Sequence, residues 1–154
     1  MERPKGKFDF CQVGIVTRDM DRTVRIFEEL YGLQPRCIVT PRYENTRIRG
    51  EQAEITIKIA LYRVDDRVDF ELIEPMGGKT IYDEWIEEKG EGLHHMAFEV
   101  EDAQGWIEYY KSKGISVLSR GERPGLTFTY LDTSAHGGVI IELIERFGER
   151  TDPV

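Results

Sequence analysis

The sequence predicts an α+β fold in which two βαβββ modules form a curled, mixed sheet around a shared cleft. Three observations predict it. One pattern of residues occurs twice, each copy begins with an apolar strand followed by a helix, and each copy ends in a hairpin whose last strand contains Glu-Leu-Ile-Glu. Duplicated units of this kind pair because neither copy buries its apolar surface alone.

The first strand and helix of each copy match closely. Residues 12–19 align with residues 95–102, and the two segments end in Asp19 and Asp102, which are typical helix N-caps. Apolar residues at helical spacing follow both aspartates. The predicted helices end near Gly32 and Gly114, because glycine adopts a left-handed conformation without steric cost.

The second half of each copy predicts a hairpin. Residues 70–74 match residues 141–145, and extended runs over 55–62 and 126–131 precede them across turn-rich segments. We therefore expect one domain over residues 1–154, with module one at about 8–75 and module two at about 92–146. Residues 76–91 carry apolar residues at helical spacing and predict a linker helix. Residues 40–52 are predicted to be a loop.

The composition describes an acidic domain of ordinary size. The 154 residues include 21 Lys and Arg against 29 Asp and Glu, which gives a net charge of −8. Such a chain repels a phosphate backbone, so we expect no nucleic-acid partner. No segment approaches the roughly 18 apolar residues of a membrane span, and no signal peptide is evident, so a cytoplasmic protein is expected. The two cysteines, Cys11 and Cys37, are interpreted as small buried apolar residues.

Four polar side chains occupy equivalent positions in the two copies. Gln12 and His95 lie on the first strands, and Glu71 and Glu142 lie on the last strands. Strand alternation puts each glutamate opposite its large apolar neighbours, towards the predicted cleft. An amide oxygen, an imidazole and two carboxylates suit a divalent ion such as Zn, Ni, Co or Mn. Alternation favours His95 over His94, whose side chain is expected on the other face.

Basic side chains are candidates for binding an anionic substrate. The sequence contains no glycine-rich phosphate loop, so recognition of phosphate or carboxylate falls to side chains. The candidates are Arg42, Arg47, Arg49, Lys58 and Arg123. Ordinary solvent-exposed charge is an equal alternative for each of them.

Over about residues 8–146 the chain resembles the vicinal oxygen chelate superfamily, and residues 50–52, 71–75, 90–100 and 137–143 look most like methylmalonyl-CoA epimerases. The resemblance implies a divalent-metal-dependent epimerase that abstracts a proton next to a carbonyl, acts on an acyl-CoA and forms a homodimer. It assigns the metal shell to Gln12, Glu71, His95 and Glu142. The epimerases commonly have histidine at the position of Gln12, and a shell with glutamine resembles lactoylglutathione lyases.

The resemblance also bears on the catalytic base. Glu142 is the first choice, with a second role as a labile metal ligand. In epimerases a carboxylate on the strand after a Glu-Gln pair is assigned to proton transfer. The alignment puts Thr56 there, with Glu54 and Lys58 on the same face, so Glu54 is the candidate for the opposite side of the substrate.

Three other functions are considered. A lactoylglutathione lyase is supported by Gln12 but weakened by Gly137-Gly138-Val139, where many glyoxalases have an Asp-Gly-aromatic sequence. Ring-cleaving dioxygenases of the superfamily need two histidines and a carboxylate for iron, and Gln12 argues against them. A metal-free small-molecule binding protein would use the four polar residues as a hydrogen-bonded cleft.

Overall fold

The computed structural model of the chain describes residues 1–149. Module one contains β1 (Phe8–Val16), α1 (Met20–Tyr31), β2 (Cys37–Val39), β3 (Arg42–Ile48), β4 (Glu51–Arg63) and β5 (Asp69–Gly77). Helix α2 (Ile81–Lys89) follows. Module two contains β6 (Gly92–Val100), α3 (Ala103–Ser112), β7 (Val117–Arg123), β8 (Leu126–Leu131), a short 3-10 turn (Ser134–His136) and β9 (Ile140–Arg146).

The strands form one mixed sheet that closes on itself. In residues 1–149 the order is β2-β4-β3-β7-β8-β9-β6-β1-β5, and β5 also pairs with β4. Strands β2 and β3 pair with one edge of β4, and β5 pairs with its other edge. Because β2 and β3 share one position beside β4, the nine strands form a barrel with eight strand positions. The predicted α+β class and the curved mixed sheet are confirmed, and the order of elements is consistent with two paired βαβββ modules.

The two modules are related by a pseudo-twofold axis between β1 and β6. These strands are antiparallel, with Gln12 opposite Ala97 and Gly14 opposite His95. A twofold rotation that exchanges the strands therefore exchanges Gln12 with His95. This is the register in which the sequence repeat aligns.

Helices α1 and α3 lie on the outside of the barrel, whereas α2 packs its apolar residues in the same cluster as the isoleucines of β4. None of the three helices in residues 1–149 is long and apolar enough to cross a membrane. Helix α1 packs Val24 and Phe27 on a small apolar cluster, while α3 buries Trp106 and Ile107. Both predicted N-caps form, because Asp19 accepts a hydrogen bond from the Arg22 amide and Asp102 accepts one from the Gly105 amide. The linker helix begins after Thr80, whose side chain and that of Asp83 form a capping box.

The expectation of a loop over residues 40–52 is wrong. Residues 42–48 form β3, which pairs with β4 on one side and with β7 on the other. Arg49 and Gly50 make the turn to β4 with positive φ angles of 49° and 85°, as a tight two-residue hairpin needs. Local composition disfavours a strand here, but pairing on both sides supplies the backbone hydrogen bonds. Thr46, at 0% exposure, marks the buried face.

Candidate metal centre

A cavity of about 50 Å³ lies inside the barrel. Its apolar wall comes from alternate residues of β4 and from β5, β8 and β9: Ile55, Ile57, Ile59, Ile73, Leu126, Phe128 and Ile144. Its polar wall consists of Gln12, Tyr43, Glu71, Tyr82, Arg123, Tyr130, Glu142 and Arg146. A space of this size holds a few water molecules, so only the reacting end of a larger substrate fits inside.

His95 lies next to two carboxylates at this cavity. Its Nε2 atom is 3.5 Å from Glu71 Oε2 and 3.3 Å from Glu142 Oε2. Both His95 Nε2 and Glu142 Oε2 are buried, and neither has a hydrogen-bond partner within residues 1–149. Buried polar atoms are normally paired. Two unpaired atoms that face each other beside a second carboxylate therefore indicate a place for a group that the polypeptide does not supply.

The donor set fits a divalent ion. Ligand atoms about 2.1 Å from an ion and at right angles lie about 3 Å apart, slightly less than the separations around His95. Within residues 1–149 no three His, Cys, Asp or Glu side chains already converge as a ready-made ligand group, so binding an ion requires a small inward movement of these side chains. Gln12 lines the same cavity and adds an amide oxygen.

Gly14 makes room for the His95 ring. A Cβ atom at this position would overlap the imidazole, since the nearest atoms to it are all in that ring. Gly14 of β1 is directly opposite His95 of β6 in the antiparallel strand pair. A glycine inside an otherwise apolar strand signals close approach of another group, and this signal is present in the sequence.

His94 does not point away from His95 as alternation predicts. The pairing of β1 with β6 shifts between Gly14 and Ile15, so His94 is the extra residue of a bulge. Its Nδ1 atom lies 2.9 Å from His95 Nδ1, and the two rings meet edge to face. His94 is fully buried against aromatic rings of Tyr82, Trp85 and Tyr130. This burial lowers the pKa of His94 well below its usual value.

Of the two acidic residues of the site, Glu142 is buried and Glu71 is half-buried. Burial raises the pKa of Glu142 to about 7, and the neighbouring carboxylate of Glu71 adds to the effect while His95 opposes it. Burial disfavours protonation of His95, but the carboxylates of Glu142 and Glu71 outweigh it and raise the pKa of His95. The hydroxyl of Tyr82 donates to that of Tyr130 at 2.9 Å in the wall beside them.

The structure does not bring Glu54 to the cavity. Strand alternation turns the isoleucines of β4 inwards, so Glu54 is on the outer face with a side chain that is 59% exposed. There it accepts a hydrogen bond from Arg42 at 2.6 Å. This corrects the expectation that Glu54 acts as a second base, and the same alternation removes Thr56 and Lys58 from the cavity wall.

The three arginines expected to bind substrate also lie outside the cavity. Arg42 pairs with Glu54, Arg47 donates to the Gly50 carbonyl at 3.0 Å, and Arg49 donates to Glu84 at 2.6 Å and 2.9 Å. None of them lines the cavity described above, because β3 and the turn that follows it present them to solvent. Arg123 and Arg146, at the ends of β7 and β9, line it instead.

Comparisons with known proteins agree with this architecture. A sequence profile of the Glyoxalase/Bleomycin resistance protein/Dioxygenase superfamily matches residues 11–131. The uncharacterized protein YqjC of Bacillus subtilis (strain 168) is 26% identical over 100 residues, which cover 63% of this chain and 71% of that protein.

Two similar solved structures are methylmalonyl-CoA epimerases. That of Streptomyces coelicolor, in complex with 2-nitronate-propionyl-CoA, has a TM-score of 0.70 at 22% identity and covers 95% of this chain and 99% of its own. That of Mycobacterium tuberculosis has a TM-score of 0.65 at 18% identity and covers 92% and 89%. A hypothetical protein of Bacillus halodurans C-125 has a TM-score of 0.68 at 18% identity and covers 94% and 99%. At these identities the likeness shows the fold.

Proposed function

The chain belongs to the glyoxalase/bleomycin resistance protein/dioxygenase superfamily, and from this premise we propose that it is a divalent-metal-dependent isomerase that abstracts a proton next to a carbonyl, with methylmalonyl-CoA epimerase-like chemistry. One observation carries the proposal. The buried atoms His95 Nε2 and Glu142 Oε2 lie 3.3 Å apart with no hydrogen-bond partner in residues 1–149.

Four residues would hold the ion, which is expected to be Co, Zn, Ni or Mn: Gln12, Glu71, His95 and Glu142. The need for it is chemical, since a proton next to a carbonyl is too weakly acidic to leave at neutral pH. When bound, the ion stabilises the negative charge that develops on the carbonyl oxygen. The apolar wall of Ile55, Ile57 and Ile59 excludes water and strengthens these interactions.

Glu142 is proposed as the base that removes the proton. Burial raises the pKa of the free Glu142 carboxyl, which makes its carboxylate a stronger base than that of an exposed glutamate. Glu71, at the pseudo-symmetric position, lies 3.5 Å from the same His95 Nε2 atom that Glu142 approaches at 3.3 Å. Since Glu54 is outside the barrel, Glu71 takes its place in the proposal as the second proton-transfer group, on the opposite side of the substrate.

A lactoylglutathione-lyase-type isomerase is the second candidate. Gln12 favours it, and so does the absence of a carboxylate from the cavity face of β4 in the described structure. Both reactions start with the same proton abstraction, but the lyase returns the proton to the adjacent carbon. In a metal-free binding protein, the third candidate, a bound small molecule would pair with the unpaired atoms of His95 and Glu142, so the metal content distinguishes it from the first two.

The first experiment measures metal and proton exchange. Protein purified without chelator is assayed for divalent metal per chain, and cobalt-restored protein is incubated with methylmalonyl-CoA in deuterated water. We expect near-stoichiometric metal and deuterium incorporation at the α-carbon. Metal without exchange would favour glutathione hemithioacetals as substrates. No metal would contradict the proposal and favour the binding protein.

Variants of the metal shell test the residue assignments. Glu142→Gln removes the proposed base and should lower turnover about 10²- to 10⁴-fold, while His95→Ala should lower metal content. His136→Ala is the matched control, because His136 lies on an exposed 3-10 turn. Metal content that stays unchanged in both shell variants would remove the assignment.

The acyl-CoA partner and the homodimer belong to the same proposal, and light scattering tests the homodimer.

A further inference from the structure

We propose that Arg123 binds a carboxylate of the substrate, so that the substrate is a short aliphatic acid derivative with one anionic group at Arg123 and its reacting carbonyl at the candidate metal centre. This inference rests on the proposed function and adds the substrate class. It is carried by the position of Arg123, by the missing partner of its guanidinium and by the charge balance of the cavity.

Arg123 is the last residue of β7, next to the turn that leads into β8. It pairs across the hairpin with Leu126, and Leu126 pairs with Arg146 of β9 on its other side. Directly opposite residues of neighbouring strands project to the same face. All three side chains line the cavity. The half-buried Arg123 and the exposed turn residues beside it lie where the cavity meets solvent.

The guanidinium of Arg123 has no ion pair and no hydrogen bond within residues 1–149. Arg146, the other arginine of the cavity wall, has such a partner, because its Nε atom donates to Glu99 at 3.0 Å. Two of the outer arginines also have acidic partners, Glu54 for Arg42 and Glu84 for Arg49, and Arg47 donates to the Gly50 carbonyl. A half-buried cation beside an apolar wall is costly unless an anion meets it. Arg123 is therefore available for an anionic ligand.

The charges of the cavity favour a ligand with a negative group. A divalent ion would be balanced by Glu71 and Glu142. Arg146 shares the carboxylate of Glu99 with Lys7. Tyr43 stays neutral, since burial raises the pKa of its hydroxyl far above the usual range. Neither carboxylate set leaves an acidic group for Arg123, so its positive charge is in excess, and an anionic substrate would neutralise it.

The shape of the site favours a carboxylate on a short aliphatic chain. A guanidinium forms two parallel hydrogen bonds with a planar carboxylate. The neighbouring wall of isoleucines offers only apolar contact to the carbons that join the carboxylate to the carbonyl. The small volume of the cavity limits that segment to a few carbon atoms.

The test compares two probes of equal chain length. Cobalt-loaded protein is titrated calorimetrically with 2-oxoglutarate and with 2-oxopentanoate, which has a methyl group in place of the distal carboxylate. We expect the wild type to bind 2-oxoglutarate about 10-fold more tightly, the ratio that a charged hydrogen-bonded pair provides. Arg123→Gln should abolish the preference, Arg123→Lys should retain part of it, and Arg42→Gln should retain all of it.

Two results would overturn the inference: equal binding of the two probes by the wild type, or an unchanged preference in Arg123→Gln. Tighter binding of inorganic phosphate than of 2-oxoglutarate, lost in the same variant, would also overturn the carboxylate assignment. If Arg123→Gln does not fold, the wild type and Arg123→Lys decide the matter. The proposed function fails separately, through absent metal or absent α-proton exchange. Without metal, the same probe comparison is made on the metal-free protein and tests Arg123 alone.

Discussion

The imidazole of His95 lies over the backbone of Gly14, and its Nδ1 atom is hydrogen-bonded to Nδ1 of His94. These two neighbours hold the ring with Nε2 towards Glu71 and Glu142. Neither touches the cavity, so their effect on a bound ion acts through the orientation of His95.

Gly14→Ala is expected to displace His95. The added methyl group overlaps the imidazole, and turning a ligand out of position lowers metal affinity about 10- to 100-fold. Cobalt titration of the variant measures this. Gly77→Ala is the matched control, because Gly77 is also in a strand and its Cβ would make only a 4.0 Å contact with Thr56. Equal cobalt affinity in Gly14→Ala and the wild type would contradict the steric argument.

His94→Phe is expected to weaken metal binding while the protein stays folded. The Nδ1 atoms of His94 and His95 are 2.9 Å apart, so one donates to the other. If His95 Nε2 faces an ion, its Nδ1 carries the proton and His94 accepts it. Phenylalanine keeps the ring among Tyr82 and Trp85 but removes the acceptor. We expect a 10- to 100-fold lower cobalt affinity, as for other partners of metal-bound histidines, and the comparison variant is His136→Phe. An unchanged affinity would show that His94 only fills space.

At the scale of the elements, Glu91 connects the start of α1 to the start of β6. Its carboxylate accepts hydrogen bonds from the Arg18 amide at 2.7 Å, the Thr17 hydroxyl at 3.0 Å and the Arg22 guanidinium at 2.7 Å and 2.9 Å. The residue precedes the strand that carries His94 and His95. One carboxylate therefore joins the helix of module one to the first strand of module two.

Glu91 makes the stability of this connection depend on pH. The Arg18 amide, the Arg22 guanidinium and the Thr17 hydroxyl lower the pKa of Glu91 to about 2 from an ordinary 4.5. A lowered pKa in the folded state stabilises it above pH 4.5, and that contribution is lost as the pH falls towards 2. Glu91→Gln should lower the free energy of unfolding at pH 7 by about 1 kcal/mol, a value reduced for partial exposure.

Urea unfolding at pH 7 and at pH 2.5 measures the difference between Glu91→Gln and the wild type. It should shrink at the lower pH, where the wild-type carboxylate also approaches neutrality. Glu122→Gln serves as the control because Glu122 is exposed on β7. A difference that is the same at both pH values would show that charge is not the cause.

At the scale of the whole molecule, two contacts between the modules close the barrel, and they are unequal. Strands β1 and β6 pair at eight positions, whereas β3 and β7 pair at two, Arg47 with Arg120 and Ile48 with Ser119. Like charges directly opposite each other destabilise a strand pair. The barrel is therefore held firmly on the side of the candidate metal centre and weakly on the other.

Hydrogen exchange is expected to reveal this difference. Amides that pair β3 with β7 should exchange faster than those that pair β1 with β6, because short ladders open locally at lower free energy. Residue-resolved exchange by NMR measures both sets in one sample. Equal protection in the two sets would mean that the barrel opens only as a unit.

The sequence by itself determined the modular plan and the equivalence of the site residues. Apolar periodicity, the aspartate caps and the repeated Glu-Leu-Ile-Glu are local properties, and each predicts the element in which it lies. The repeat also aligned Gln12 with His95, because corresponding residues of duplicated modules take the same position on corresponding strands. Their role as metal ligands is still a prediction.

Only the tertiary structure decided which strand faces point inwards and which long-range contacts form. Alternation divides β4 into two faces but does not say which one meets the cavity, and closure of the barrel put the isoleucines inside and Glu54 outside. A bulge placed His94 beside His95, and pairing with β4 and β7 made a strand of residues 42–48. Arg123 lines the cavity because β7 pairs with β8, and β8 with β9, in the register that turns its side chain inwards. Each of these depends on residues far apart in the chain, and local sequence does not encode how distant strands meet.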